Sequence, residues 1–166
     1  MLGDHYDRTY CLGRRARPDV TIDVIEDLGA TYINSNETPV AEIGSEYEHA
    51  DFIYEATGYA RHAYDSVYAL APNGVLALLG VPEPGWRFDI DGSELHNDIV
   101  LNSKAIVGSV TSHRRHFEEA IEVLASLPDW FLDTLTVTYH PDQYKEAFEK
   151  NDDEIKPVIQ FSSLSP

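Results

Sequence analysis

The sequence predicts an α/β fold organised around a mostly parallel sheet, and three features point to it. Short β-rich runs alternate with amphipathic helical segments over the first two thirds of the 166 residues. Two of the runs, Val75 to Val81 and Ala105 to Val110, are almost continuously apolar, the pattern of strands buried on both faces. Glycines follow several runs where a strand meets its loop, at Gly13, Gly58, Gly80 and Gly108.

Thr9 to Leu12 is the first predicted strand. Pro18 then opens a helix through Leu28, with Ile22, Ile25 and Leu28 on one face and Gly29 ending it. Thr31 to Ile33, Phe52 to Ala56 and Val75 to Val81 are the next strands, with a helix over Ala60 to Leu70 between the last two and Pro82 as terminator. Glu94 to Leu101 is helical, Ala105 to Val110 is a fifth strand, and a helix beginning near Ser112 carries Phe117, Ala120, Ile121, Leu124 and Leu127 on one face. Beyond Pro128 come Trp130-Phe131-Leu132, a β run from Leu135 to Tyr139, a helix from Asp142 to Phe148 and a last strand from Pro157 to Phe161, pieces that need not share one sheet. There is no internal repeat, low-complexity segment or long linker, and the length suits one compact domain.

Composition narrows the function. Acidic residues number 29 against 12 basic ones, a formal net charge of −17, which argues against nucleic acid and anionic membrane as partners. The acids are spread along the chain and only Lys104, Lys145, Lys150 and Lys156 are lysines, a balance that suits a halophile's cytoplasm. No apolar run approaches the roughly 20 residues of a membrane span, and Met1 is followed by Asp4, Asp7 and Arg8 instead of a signal-peptide core, so the chain reads as soluble and cytoplasmic. Cys11, the one cysteine, lies in the apolar run Tyr10-Cys11-Leu12 and is expected to be a buried structural thiol.

In doubly wound folds the loops at the carboxyl ends of the strands line the ligand crevice. After the first strand stands Gly13-Arg14-Arg15-Ala16-Arg17, whose guanidiniums offer charge-assisted donors to a phosphate where the 2′-phosphate of NADP sits in a dinucleotide fold; a solvated basic turn is the other account. Glu55-Ala56-Thr57-Gly58 and Leu79-Gly80-Val81-Pro82 each deliver a glycine that lets a ligand approach the backbone, or that simply ends a strand. Gly108-Ser109-Val110-Thr111-Ser112-His113 adds hydroxyls and amides at a helix start, with Ser112 equally explained as a cap. Among seven histidines, His113 and His116 lack a third ligand of suitable spacing, so a surface pair explains them better than a metal. No Gly-x-Ser-x-Gly elbow occurs. These residues supply cofactor contacts without an acid, base or metal centre.

Taken together, Tyr10 to Arg15, Asp51 to Gly58, Ala71 to Val75, Leu78 to Pro82 and Gly108 to His113 resemble, in the same order, the glucose 1-dehydrogenases of haloarchaea, a branch of the zinc-dependent medium-chain dehydrogenases. The resemblance extends through Trp130-Phe131-Leu132 and Ile155 to Phe161. It implies oxidation of β-D-glucose and related aldoses at C1 to the lactone, with reduction of NADP or, alternatively, NAD. It further implies that Arg14 and Arg15 grip the 2′-phosphate and that Leu79, Gly80 and Val81, with Ser109, Val110 and Thr111, line the nicotinamide side. Thr57 and Gly58 complete the expected cofactor set. The family usually carries asparagine where Thr111 stands, a position touching cofactor and sugar; threonine lacks the amide donor, which bears on sugar preference.

The resemblance begins at the end of the family's first helix. It therefore implies an incomplete Rossmann-type sheet without its first strand over residues 1–127, and a C-terminal return segment over 128–166 that packs on a catalytic domain. Zinc ligands, proton relay and the glycine-rich phosphate turn would lie on other sequence, leaving this chain as a cofactor-binding part, inactive alone. Its partners would be the nicotinamide dinucleotide, an aldose in the complete enzyme, and either a second copy or a separate N-terminal half. A non-catalytic nucleotide-binding or interaction module, or a decayed gene fragment, is the rival. In the strand order 3-2-1-4-5-6 the absent strand is central, so Thr9 to Leu12 and Phe52 to Ala56 would either expose backbone groups or pair with each other.

The charge of −17 makes a direct prediction. At about 1 M salt the Debye length shrinks to roughly 3 Å, suppressing carboxylate repulsion. The thermal midpoint should rise from dilute buffer to molar KCl, and a midpoint that stays flat or falls would remove the halophilic explanation.

Overall fold

The computed structural model describes residues 6–129, 136–149 and 154–162. The architecture is mixed α/β with parallel sheets, as predicted. The chain divides into two compact units, residues 34–112 and residues 1–33 with 113–166.

In the first unit, β3 (Ala50–Glu55), β4 (Leu70–Leu78) and β5 (Ala105–Gly108) form a parallel ladder in the order β3-β4-β5. The middle strand starts earlier than the apolar run suggests, because Ala50 pairs with Leu70 before a bulge shifts the register to Phe52 opposite Val75. It also ends earlier, at Leu78. Residues 79–81 leave the ladder when the Leu79 and Gly80 amides both turn to the Glu55 carbonyl, at 2.8 and 3.1 Å.

Two helices cover one face of this ladder: α3 (Ala60–Ala69) and α4 (Gly92–Leu101). Val67 and Leu95 meet Leu70 and Leu76 in the core, with Ile53, Tyr68, Leu78 and Ile99 around them. Strand periodicity sends the alternate residues of β3 the other way, and Phe52 and Tyr54 are 49% and 61% exposed. The expectation that Ala105 to Val110 is buried is corrected: β5 lies outside the Val67–Leu95 core, and Ile106 and Val107, which point to opposite faces, are both exposed. No helix or strand signal marks residues 34–50 in the sequence. A 3₁₀ turn (Val40–Glu42) and the single-turn α2 (Ile43–Glu46) occur there, with Val40 and Ile43 buried.

The second unit contains β1 (Tyr10–Gly13) paired with β2 (Thr31–Asn34), joined by α1 (Val20–Asp27). The helix begins after Asp19, not at Pro18, because the Asp19 carboxylate accepts from the Thr21 amide at 2.8 Å and caps it. Ile22 and Val24 are its buried residues, while Ile25 and Leu28 are half-buried. Cys11 is likewise half-buried, and desolvation pushes its thiol pKa up. Thus β1 and β3 belong to separate sheets and do not pair with each other.

This unit also holds α5 (Arg114–Ser126), the single-turn α6 (Tyr144–Ala147), and the parallel pair β6 (Thr136–Tyr139) and β7 (Lys156–Ile159), which form a sheet of their own. The α5 cap is His113, not Ser112: its Nδ1 accepts from the Arg115 amide while His116 Nδ1 accepts from the His113 amide. That reciprocal cap accounts for the histidine pair. The apolar face of α5 is exposed, with Phe117 at 63% and Ile121 at 65%. Trp130-Phe131-Leu132 and Leu135 lie outside the described residues.

Among the described residues, no helix is long and apolar enough to cross a membrane. One buried cation deserves separate treatment. Lys104 Nζ donates to the Val67 carbonyl at 2.8 Å and to Asp98 Oδ2 at 2.7 Å, with 4% of its side chain exposed. Removing it leaves the largely desolvated Asp98 carboxylate without its cation, while the Val67 carbonyl keeps the Leu70 amide. Lys104→Ala should lower the unfolding free energy by about 2–4 kcal/mol. Arg114→Ala, which breaks the exposed pair with Glu118, should cost under about 0.5 kcal/mol. Denaturant unfolding at fixed salt checks the contrast.

Candidate cofactor site

Parallel pairing places the carboxyl ends of β3, β4 and β5 on one side of the ladder, where Leu78 lies opposite both Glu55 and Gly108. The Ser109 amide donates to the Leu78 carbonyl at 3.0 Å, carrying the β5 loop alongside the β4 loop. Between them lies a cleft of about 340 Å³ lined by Leu78 to Pro82 and Gly108 to Val110. Five residues singled out from the sequence therefore come together here: Leu79, Gly80, Val81, Ser109 and Val110.

Thr57 and Gly58 join them through the backbone. Gly58 adopts φ +72°, and a Cβ on it would meet the Val81 carbonyl oxygen at 2.7 Å. A Cβ on Gly80 would sit 2.0 Å from the Gly58 amide nitrogen. Both glycines are thus required by a close approach of two loops, which distinguishes them from glycines that merely end strands. The turn after β3 is tied to Glu55, whose buried carboxylate accepts from the Thr57 and Gly58 amides at 2.7 and 3.1 Å and from the Thr57 hydroxyl. Thr111 is exposed and does not line the cleft.

Arg14 and Arg15 follow β1 in the other unit. The Arg15 amide donates to the Tyr32 hydroxyl at 2.9 Å, that hydroxyl donates back to the Arg15 carbonyl at 3.0 Å, and the turn is fixed in consequence. Arg15 Nη1 donates to Asp19 at 2.8 Å and holds that carboxyl below the usual carboxylate range. Arg17 is drawn aside to Asp23 and Glu26.

Sequence reasoning missed Glu55, because a carboxylate at a strand end carries no local signal of burial. It also missed a wider, open cleft of about 620 Å³ formed by Tyr64, Trp86, Phe88, Ile90 and Leu95 with Arg87 and Asp89, which gathers none of the residues at the strand ends. Among the described residues, no group of three or more His, Cys, Asp or Glu side chains is arranged to hold a metal ion.

A parallel ladder with glycine-rich loops converging at its carboxyl ends is the architecture of a nucleotide-binding α/β protein. The chain belongs to the glucose dehydrogenase C-terminal family, whose model matches residues 1–161. It is 54% identical over 165 residues to glucose 1-dehydrogenase of Haloarcula marismortui, covering 99% of this chain and 46% of that protein. It is 52% identical to the Halobacterium salinarum enzyme, covering 96% and 45%. Among solved structures, Haloferax mediterranei glucose dehydrogenase in complex with NADP, Zn and gluconolactone matches with TM-score 0.90 at 51% identity, over 96% of this chain and 44% of that one. Benzyl alcohol dehydrogenase from Acinetobacter calcoaceticus matches with TM-score 0.72 at 26% identity, over 93% and 43%. The chain therefore spans less than half the length of these relatives.

The loop contacts set a stability test. Gly80→Ala forces a methyl group into backbone and should destabilise by about 3 kcal/mol. Gly92→Ala, at the start of α4 with nothing within 4 Å, should be neutral or stabilising by up to about 1 kcal/mol. Thermal unfolding of the two variants side by side checks this.

Proposed function

We propose that this chain is the NADP-binding part of an aldose 1-dehydrogenase. The carrying observation is the convergence of Leu79 to Val81 with Ser109 and Val110 at the ends of parallel strands, pressed against the Thr57-Gly58 turn. NADP fits this residue set: Leu79, Val81 and Val110 present apolar surface to a flat ring, and the Ser109 hydroxyl can donate to and accept from polar groups. NADP, when bound, accepts the hydride released from sugar C1. Leu79 and Val81 bound the nicotinamide side and exclude water from it, Arg14 and Arg15 take the 2′-phosphate, and Thr111 faces the sugar. The Haloferax relative's complex with NADP and gluconolactone supports the assignment of both ligands.

The proposed share of this chain in the reaction is to hold the cofactor and to present Thr111 to the sugar. Turnover requires the rest of the protein. The proposed division is a cofactor domain over 1–127 and a return segment over 128–166 that packs on the catalytic part. The polypeptide matching the other half of the relatives is the proposed partner of this chain.

The test is titration of the chain with NADP and NAD at molar KCl. NADP should bind about tenfold or more tightly, from the charge-assisted pairing of the 2′-phosphate. Replacing Arg14 and Arg15 together by alanine should erase that preference. Equal affinity for both cofactors in the unaltered chain would overturn the assignment of the arginines, and no binding of either would overturn the cofactor reading.

A further inference from the structure

Glu55 is 7% exposed, deep enough that its polar atoms must find partners within the fold. It occupies the last position of β3 and reaches both the 79–80 loop, which lines the cleft, and the 57–58 turn that packs against that loop. Its main-chain carbonyl accepts from the Leu79 and Gly80 amides at 2.8 and 3.1 Å. One oxygen of its side chain, Oε1, gathers three donors from the following turn: the Thr57 amide, the Thr57 hydroxyl and the Gly58 amide. The Thr57 oxygen in turn accepts from the Tyr59 amide at 3.1 Å. Tyr59 is the N-cap position of α3 and supplies no side-chain cap itself, so the chain of hydrogen bonds runs from Glu55 into the start of that helix.

The geometry points to Glu55 as the positioning residue of the cofactor site, an inference that rests on the cofactor reading above. Its carbonyl fixes the 79–80 loop and its carboxylate fixes the 57–58 turn, so one residue sets the spacing between them. That spacing is narrow: Gly58 at φ +72° and Gly80 face each other with no room for a Cβ on either. A ligand in the adjoining cleft needs the 79–80 loop and the turn behind it in one conformation before it arrives, since ordering them on binding would cost affinity. The acceptor must be a small, forked, hydrogen-bonding group on a strand end. Glutamate supplies it, and a residue of equal bulk without an acceptor does not.

The experiment compares Glu55→Gln, which keeps the acceptor, with Glu55→Met, which keeps the bulk only, in the full 166-residue chain at molar KCl. Amide hydrogen exchange and NADP titration are read on each. In Glu55→Met, exchange at Thr57 and Gly58 should accelerate about tenfold or more and NADP affinity should fall by a similar factor. Leu79 and Gly80 are the internal control, because the carbonyl that holds them survives every substitution. Glu55→Gln should hold both readouts within about threefold of the unaltered chain. Unchanged exchange at Thr57 and Gly58 in Glu55→Met would overturn the proposal. So would a glutamine variant as impaired as the methionine one, since charge and not the acceptor would then be responsible. If the unaltered chain binds no NADP, the exchange data still judge Glu55 and only the cofactor reading fails. Should Glu55→Met not fold, Thr57→Val carries the test: it deletes the hydroxyl between Glu55 and Tyr59, and exchange at the Tyr59 amide should rise about tenfold, with no rise counting against the proposal.

Discussion

Parallel pairing of Ala50–Glu55, Leu70–Leu78 and Ala105–Gly108 is the constraint on which the candidate site depends. Strands that run the same way must all end on the same side, so the three following loops have no choice but to meet. The central strand is anchored by Leu70 and Leu76 against Val67 and Leu95, which fixes its height relative to its neighbours. From that height the rest follows. Leu78 comes level with Glu55 and Gly108, the Leu79 and Gly80 amides find the Glu55 carbonyl, and the loops press together where only glycine fits. Lys104 reinforces the arrangement from below by joining the end of α3 to Asp98 of α4.

Charge is used locally in this chain. Arg15 pairs with Asp19, Arg17 with Asp23 and Glu26, Arg61 with Asp65, Arg114 with Glu118 and Arg115 with Glu119, most of them one helical turn apart. Such exposed pairs are worth little individually. They do leave the surplus of carboxylates spread across the surface, where salt screening matters more than any single bridge. Arg15 is the exception in kind, since its backbone is also clamped by the Tyr32 hydroxyl. Its guanidinium is held to Asp19 on that fixed turn.

Alternation along β3 sends Ile53 into the core and leaves Phe52 and Tyr54 outside, while α5 carries an apolar stripe with no buried residue. Both sets of exposed apolar side chains lie outside the core built on Leu70 and Leu76. Stability measured on these 166 residues therefore reports the ladder and its two helices more than the edges.

The sequence by itself determined the class of fold, the order of strands and helices, and the positions where backbone approaches backbone. These are legible because periodicity, helix-ending glycines and apolar runs act within a few residues of each other. It also carried the family, through motifs in unbroken order from Tyr10 to His113. Tertiary structure alone decided that β4 reaches back to Leu70, that β5 is an exposed edge, and that β1 and β3 lie in separate sheets. It chose His113 over Ser112 as a helix cap, a matter of which side chain could fold back onto a free amide. It also gave Glu55 its place. Burial of a carboxylate is paid for by donors at Thr57 and Gly58 that face it only after β3 has paired with β4, and no local pattern in a sequence records a partner set by pairing.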